Sequence, residues 1–170
     1  LETITKEIPK SSYKKPSGEL TVTIVGRPNV GKSNLFNTLA SKQQAIVADV
    51  AGTTRDVNSV TVNYNKQPVR LLDTAGIRRS GKIEVGVEKF SVLRSLWAIE
   101  QADVCLLVMD VNELNTKLDQ KLAGMIKEAG KGLIIVVSKW DSVEKDAYTR
   151  DALARDIARE FPFIAWAPLI

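Results

Sequence analysis

Short runs rich in β-branched residues alternate with segments of helical hydrophobic period from residue 20 onward. The runs predict strands at residues 20–25, 57–64, 69–73, 104–110 and 133–139. Apolar residues spaced three or four apart predict four helices and are expected to face the core: Leu35, Phe36, Leu39 and Ala40; Phe90, Leu93 and Trp97; Leu118, Leu122, Met125 and Ile126; Leu153, Ile157 and Phe161. This alternation is typical of an α/β fold in which helices cover both faces of a mostly parallel sheet.

One connection departs from that alternation. Residues 57–64 and 69–73 are separated by only residues 65–68, which is too short for a crossover helix and predicts an antiparallel hairpin. With a sixth strand expected to end near Ile170, the pattern predicts a six-stranded sheet that is parallel except for one strand. Asn115 or Thr116 is expected to cap the third helix, and Gly130 to end it.

Composition limits the chain to one folded unit. Its 170 residues are 44% hydrophobic, which suits a single core, and residues 1–18, rich in Lys, Pro and Ser without a regular period, are expected to be a linker before a domain at residues 19–170. The one cysteine, Cys105, lies in an apolar run and is expected in the core. With no membrane-length apolar run, this predicts a reducing, cytoplasmic setting without membrane association.

The net charge and the residue types limit the partners and the reactions that the chain can have. A net charge of +4 weakly favours an anionic partner such as RNA or a nucleotide. The sequence has no histidine, which excludes the commonest general base and the usual catalytic triads. Phosphoryl transfer, which relies on cations, hydroxyls and backbone donors, fits the remaining residue types.

A phosphate-binding loop is predicted between the first strand and the first helix. The pattern G-x-x-x-x-G-K-[ST] is matched by Gly26, Arg27, Pro28, Asn29, Val30, Gly31, Lys32 and Ser33, with Asn34 next in the helix. Glycines let backbone N–H groups turn toward phosphate oxygens, Lys32 adds a full charge near the β and γ phosphates, and Ser33 offers a hydroxyl to Mg²⁺. The alternative is a glycine-rich turn that binds nothing. The motif does not choose between ATP and GTP.

A second group of candidates follows the third strand. Asp73 could hold Mg²⁺ through a water, and the Gly76 N–H could reach a γ phosphate; Thr74, Ala75 and Ile77 complete this segment. Upstream, Thr53 or Thr54 could complete the Mg²⁺ shell, and Thr54 is our candidate. For each of these candidates the alternative is a purely structural role, as a solvated Asp in a loop or as a Thr that caps a helix.

Base recognition is predicted after the fifth strand, in Ser138, Lys139, Trp140 and Asp141. A carboxylate at Asp141 can accept hydrogen bonds from both N1–H and the 2-amino group of guanine, which adenine cannot offer. The sequence therefore favours GTP over ATP.

Taken together, these motifs resemble the TrmE, Era and EngA (Der) group of GTPases, and most of all the second G domain of the Der family. The resemblance is carried by GRPNVGKSNLFNTL from Gly26, AGTTRD from Ala51, LDTAGIRRSGK from Leu72 and GVEKFSVLRSLWAIEQADV from Gly86. It implies a P-loop G domain that binds GTP and GDP with Mg²⁺, acts in assembly of the large ribosomal subunit in bacteria, and contacts rRNA through the intact protein. It also implies a second G domain and a KH-like domain in the full-length chain.

The resemblance further implies a mechanism. Ile77 stands where Ras-type GTPases have a water-orienting Gln, and members of the group often use K⁺ bound through an Asn in the phosphate loop, here Asn29. Lys32, Thr54 and Gly76 are then the catalytic candidates. The alternative for Asn29 is that it only satisfies local backbone groups. Arg55, Arg78, Arg79 and Lys82 could touch phosphate or rRNA, or be solvated.

Two departures from the family pattern are expected to affect the affinity for the guanine nucleotide. Ser138 replaces the usual Asn, which costs one hydrogen bond of about 1 kcal/mol but leaves guanine selection to Asp141. No Ser-Ala guanine-contact motif precedes Ile170, so the domain is expected to be truncated before that loop.

Three functions stay open from the sequence. The first is a Mg²⁺-dependent, K⁺-stimulated GTPase whose loops at residues 48–56 and 76–86 report the nucleotide state. The second is a GDP- or GTP-sensing module with negligible turnover, and the third an ATP-using phosphotransferase, which Asp141 disfavours. The isolated domain is expected to be a monomer.

Overall fold

The computed structural model describes residues 19–42, 59–73 and 87–170. Within these ranges the elements run β1 (Leu20–Val25), α1 (Lys32–Lys42), β2 (Ser59–Tyr64), β3 (Gln67–Asp73), α2 (Val87–Gln101), β4 (Val104–Asp110), α3 (Lys117–Glu128), β5 (Gly132–Ser138) and α4 (Thr149–Glu160). Short 3₁₀ helices span Trp140–Ser142 and Pro162–Ile164.

The strands form one mixed sheet in the order β2-β3-β1-β4-β5. Strand β1 pairs in parallel with β3 and β4, and β4 pairs in parallel with β5; among the strands that the structure describes, only β2 is antiparallel, to β3. Beyond β5, Leu169 forms a parallel bridge to Ile135, so residues 168–170 lie where the sixth strand was expected. The predicted α/β class, with one reversed strand, is confirmed.

The hairpin between β2 and β3 is tighter than the sequence predicted. Strand β3 begins at Gln67, and the turn consists of Asn65 and Lys66, both with positive φ of 49° and 65°. Pro68 was assigned to the turn but lies in the strand, opposite Asn63. It is tolerated there because β1 starts to pair with β3 one residue later, at Val69, so no neighbouring strand needs its missing N–H at that point.

Helices cover both faces of the sheet, as predicted. On one face α1 packs Leu35, Phe36 and Leu39 against the sheet residues Val22, Ile24, Val62, Leu71 and Val108. On the other face α2, α3 and α4 cover a larger cluster whose strand members include Cys105, Leu107, Met109, Leu133 and Ile135. Successive residues of β4 alternate between the two faces, as the strand period requires.

Helix α2 presents a different face to the core than its large apolar residues suggested. Leu93 is 60% exposed and Trp97 42% exposed, so the predicted core position of both is wrong. Among the side chains of this helix that the structure describes, the buried ones are Ser95, Ala98 and Ile99, and Ala102 directly after the helix is also buried. Across the described ranges, no helix combines the length and apolar character needed to cross a membrane.

Helix α3 is closed at both ends by the expected residues. Thr116 is the N-cap: its hydroxyl accepts from the Asp119 N–H, while the Asp119 carboxylate accepts from the Thr116 N–H, which makes a capping box. At the other end Gly130 has φ +64° and donates its N–H to Lys127 O. The core stripe of α3 is confirmed by buried Leu122 and Ile126. Likewise, Ile157 and Phe161 of the α4 region are buried.

Candidate functional site

The predicted motifs lie at one edge of the sheet because the parallel strands end there together. In register, Ile24 is opposite Asp73 on β3, and Asp110 of β4 is opposite Ser138 of β5. The loop after β1 therefore starts beside the ends of β3 and β4. In open α/β sheets, this carboxyl edge is where ligands bind.

The loop from residue 26 to residue 31 has a backbone that few residues other than glycine can follow. Gly26 has φ +149°, and a Cβ there would lie 2.4 Å from Val108 O. Gly31 has φ +90°, and Asn29 adopts a left-handed φ of 65°. Alternating handedness of this kind turns successive N–H groups toward one side, which produces a concave surface suited to anions.

The buried side chain of Val30 anchors this loop to the sheet. Val30 is buried against Ile24 of β1 and Val108 of β4. Its neighbours Pro28 and Asn29 are exposed. The loop is therefore held by its apolar residue while its polar backbone remains accessible.

Helix α1 begins at Lys32, so the residues that end the motif form its first turn. Lys32 Nζ donates to Arg27 O at 2.6 Å, which carries the ammonium back over the loop. Ser33 and Asn34 are exposed at the helix start, and the first-turn bond runs from Leu35 N to Gly31 O. The positive end of the helix dipole, the N–H groups and the Lys32 charge thus meet at one place.

The side chain of Arg27 leaves the loop and contacts the segment before α3. Its guanidinium donates to the carboxylate and to the carbonyl oxygen of Glu113, and Nε lies 3.4 Å from Asp119 Oδ2. Only 14% of the Arg27 side chain is exposed. The loop is therefore tied to α3 as well as to the sheet.

The predicted base-recognition segment begins beside the phosphate loop. Ser138 Cβ lies 3.8 Å from the position that a Gly31 Cβ would take, and Ser138 Oγ donates to Met109 O at 3.0 Å. Its hydroxyl is thus directed to the β4 backbone. Lys139 has a left-handed φ of 56° and begins the 3₁₀ turn of Trp140–Ser142, in which Asp141 is exposed.

Asp110, at the end of β4, orders this segment through a hydrogen-bond network. Its Oδ2 accepts from Lys139 Nζ at 2.5 Å, and its Oδ1 accepts from the backbone and side-chain amides of Asn112. Asn112 also donates to Ser142 Oγ at 2.7 Å. The hydrogen bond from Lys139, followed by that from the Asn112 backbone, lowers the pKa of Asp110 from 3.8 to about 2.

Several predicted site residues lie outside the described ranges or side chains. Asp73 is described only as the last residue of β3. The positions of Thr54, Thr74, Ala75, Gly76 and Ile77 lie outside the described residues, as do Arg55, Arg78, Arg79 and Lys82. Their roles stay predictions.

Three acidic residues that the fold brings to the described part of the site were not predicted from the sequence: Asp110, Glu113 and Asp119. Asp110 directly follows the apolar run of β4, a position that itself marks the carboxyl edge. Asp119 completes a T-x-x-D capping pattern with Thr116. Both local signals were present, but neither reveals a cationic partner that is distant in the chain.

Comparison with known families agrees with this geometry. Residues 21–139, from β1 to Lys139, match the family model described as 50S ribosome-binding GTPase. The chain belongs to this GTPase family. The matched region contains both the phosphate loop and the start of the base-recognition segment, so the two parts of the site belong to one family domain.

Individual named proteins are also similar to this chain, in sequence or in structure. The chain is 47% identical, over its whole length, to GTPase Der of Chloroflexus aurantiacus, and it spans 38% of the length of that protein. Among solved structures, it superposes on Era of Aquifex aeolicus bound to GDP and AlF4⁻ with a TM-score of 0.64, 30% identity, and coverage of 88% of this chain and 50% of that one. Era in complex with MgGDPNP and a segment of 16S ribosomal RNA gives a TM-score of 0.63, 28% identity and the same coverage.

Proposed function

We propose that this chain is the GTP-binding and GTP-hydrolysing domain of a bacterial GTPase that acts in assembly of the large ribosomal subunit. One observation carries the proposal: a phosphate-binding loop with Gly26, Gly31 and Lys32 lies beside the start of a segment that presents Asp141. The family match and the relatives named GTPase Der support the same function.

Phosphate binding is the task of the loop and of the start of α1. Backbone N–H groups from residue 29 to residue 33 bind the β phosphate, and Lys32 moves its ammonium from Arg27 O to the β and γ phosphate oxygens. Because these donors are positioned before the charge develops, they stabilise the transition state of hydrolysis with little reorganisation.

Base recognition is the task of Asp141. Its exposed carboxylate accepts hydrogen bonds from guanine N1–H and the 2-amino group, and Lys139 lies beside it on the same segment. Adenine has neither donor in that arrangement. The domain therefore selects GTP and GDP over ATP.

Magnesium fits the residues at the phosphate loop. Ser33 provides an exposed hydroxyl at the start of α1, and Asp73 ends the strand beside β1, which suits a contact through water; Thr54 completes the set. When bound, Mg²⁺ neutralises charge on the β and γ phosphates. The Era structure with MgGDPNP supports this assignment.

Potassium is proposed at Asn29. The residue is exposed and has a left-handed backbone, and its side-chain oxygen is a ligand type that would suit a monovalent cation bound beside the nucleotide. A monovalent cation there would offset charge that develops during hydrolysis, in the place of an arginine finger. Ile77 has an apolar side chain that cannot orient water. The proposed catalytic residues are therefore Lys32, Thr54 and Gly76.

The wider setting is proposed from the relatives. Since the chain spans 38% of GTPase Der, the full protein has room for a second G domain and a KH-like domain, and for contacts to rRNA. The Era complex with 16S ribosomal RNA supports an RNA-bound partner. We place the protein in the cytoplasm, the isolated domain as a monomer, and residues 48–56 and 76–86 as its nucleotide-sensing loops.

The test is single-turnover GTP hydrolysis in KCl and in NaCl, for the wild type and for Asn29→Ala. Faster hydrolysis in K⁺ that is lost in Asn29→Ala supports the enzyme and its cation site. Hydrolysis that is undetectable in both salts, with tight GDP binding retained, would overturn the GTPase function in favour of a nucleotide sensor. Equal competition by ATP would overturn the guanine assignment.

A further inference from the structure

Asp119 of α3 is a fully buried carboxylate whose surroundings exceed what a helix cap needs. Its Oδ2 accepts from Thr116 N at 3.1 Å, which with the bond from Asp119 N to Thr116 Oγ1 at 3.2 Å makes the capping box, and it also accepts from Thr116 Oγ1 at 2.8 Å. The same oxygen lies 3.4 Å from Nε of Arg27, and the Asp119 side chain is 0% exposed. Cap residues are usually close to solvent, so complete burial beside a cation is an additional feature.

Arg27 connects the Asp119 carboxylate to the phosphate loop through its side chain on one side and its backbone carbonyl on the other. Its side chain is held by Asp119 and Glu113, whereas its backbone carbonyl accepts from Lys32 Nζ at 2.6 Å. One residue thus lies between α3 and the lysine that contacts phosphate. A change in the position of Arg27 would move the carbonyl that orients Lys32.

Electrostatics explain why the carboxylate is needed. The start of α3 carries the positive end of a helix dipole, which by itself repels a guanidinium. Asp119 lies between that helix end and Arg27, so its charge compensates both. Removing one partner of a buried ion pair of this kind costs much more folding stability than the intact pair contributes, because the remaining charge is left buried and unpaired.

We propose that Asp119 is a positioning residue for the nucleotide site: it fixes Arg27 and thereby the shape of the phosphate loop before a nucleoside di- or triphosphate binds. The proposal rests on the nucleotide-binding function given above. It extends the site to α3, a helix that carries none of the recognised nucleotide motifs.

The experiment compares Asp119→Asn with Thr116→Ala. The Asn side chain keeps an oxygen for the Thr116 donors but removes the charge that faces Arg27. Thr116→Ala removes the capping hydroxyl and its hydrogen bond to Asp119 Oδ2, but it keeps the backbone donor to that oxygen and the carboxylate charge beside Arg27, so it is the control for helix stability. For each protein, the affinity and dissociation rate of a fluorescent GDP are measured together with the thermal unfolding temperature.

We expect both variants to unfold at lower temperature, and only Asp119→Asn to bind GDP about tenfold more weakly, through faster dissociation, a size typical of coupling between sites. Equal GDP affinity in Asp119→Asn and the wild type would overturn the proposal. So would an equal loss of affinity in Thr116→Ala, because Asp119 would then act only as a cap.

A second variant keeps the test decisive if Asp119→Asn does not fold. Arg27→Gln leaves the α3 cap and the carbonyl for Lys32 in place but removes the guanidinium, and it should weaken GDP binding to the same extent. In the folded double variant the two effects should be less than additive, since both variants remove the contact between Arg27 and Asp119, and Arg27→Gln also removes the bonds to Glu113. Unchanged affinity in Arg27→Gln contradicts the inference, whereas a wild type that does not bind GDP contradicts the proposed function itself.

Discussion

Lys139 Nζ lies 2.5 Å from Asp110 Oδ2, across the ends of the adjacent strands β5 and β4. The lysine side chain is 44% exposed and the aspartate 12% exposed, so the pair sits at the surface of the site with its acidic member covered. Since Lys139 precedes Trp140 and Asp141, this contact sets the start of the segment that we assign to guanine.

Asp110→Asn should lower the free energy of unfolding by about 1 kcal/mol at neutral pH, given the partial exposure of Lys139. The pKa of Asp110 is lowered from 3.8 to about 2, so its contribution is present above about pH 4 and is lost as pH falls toward 2. Urea unfolding across this range should show the wild type and the variant converging in acid.

The exposed Glu144, in the nearby loop, provides the control. Glu144→Gln should leave stability unchanged at neutral pH. A difference between Asp110→Asn and the wild type that persists unchanged at low pH would show that the charge of Asp110 is not its source.

Asp141→Asn should change base preference. The carboxamide keeps an acceptor for N1–H but presents an NH₂ group where guanine also presents a donor, whereas xanthine has a carbonyl there. We expect GDP to bind about 100-fold more weakly, because the hydrogen bond to the 2-amino group is lost and the one to N1–H is no longer charge-assisted, and xanthosine diphosphate to bind more tightly. Competition against a fluorescent GDP measures both.

Lys32→Ala is the comparison for that experiment, since it acts on the phosphates. It should weaken both diphosphates alike. A parallel loss of GDP and xanthosine diphosphate in Asp141→Asn would place Asp141 outside base recognition.

Val30→Ala should affect both stability and binding. Removing two methyl groups from the buried contact with Ile24 and Val108 should cost about 2 kcal/mol in unfolding free energy. It should also weaken GDP binding, because the loop loses its apolar anchor. Chemical denaturation and fluorescent GDP titration measure the two effects.

Val22→Ala is the matched substitution, since Val22 of β1 is buried on the same face of the sheet but packs with Val62 and Leu71. It should lower stability while leaving GDP affinity intact. If both valine variants weaken binding equally, loss of global stability explains the effect.

Cys105 should be unreactive in the native protein. Burial raises the pKa of its thiol from 9.0 to about 12, so the reactive thiolate is scarce at any physiological pH. A thiol reagent should label it only after unfolding, at a rate that follows denaturant concentration. Because the folded pKa is raised, stability should also fall as pH rises from about 9 toward 12. Rapid labelling at neutral pH without denaturant would contradict the buried position.

The phosphate loop was predictable because its determinants are consecutive. Glycine at positions 26 and 31, the lysine and the flanking strand and helix all lie within a few residues, so local rules suffice. The same holds for the Thr116 cap of α3, which requires only a residue and its third neighbour.

Predictions failed where orientation depends on distant parts of the chain. The period of Leu93 and Trp97 indicated a helix correctly, but side-chain size did not reveal that α2 packs through Ser95, Ala98 and Ile99. Pro68 was read as a turn residue because its tolerance depends on where β1 begins to pair. The pairing of Arg27 with Asp119 could not be predicted for the same reason, since it joins the loop after β1 to helix α3, which follows β4.

The close approach of Gly26 to Val108 O has a consequence for how variation at this site should be interpreted. In a library of substitutions selected only for folding, with no nucleotide present, every side chain at position 26 would be depleted, as if the position were catalytic. Position 34, exposed in the first turn of α1, would tolerate most residues under that selection and lose them only when binding is required. A requirement for glycine at position 26 would therefore reflect the packing of two strands before it reflects chemistry, and only the difference between the two selections separates them.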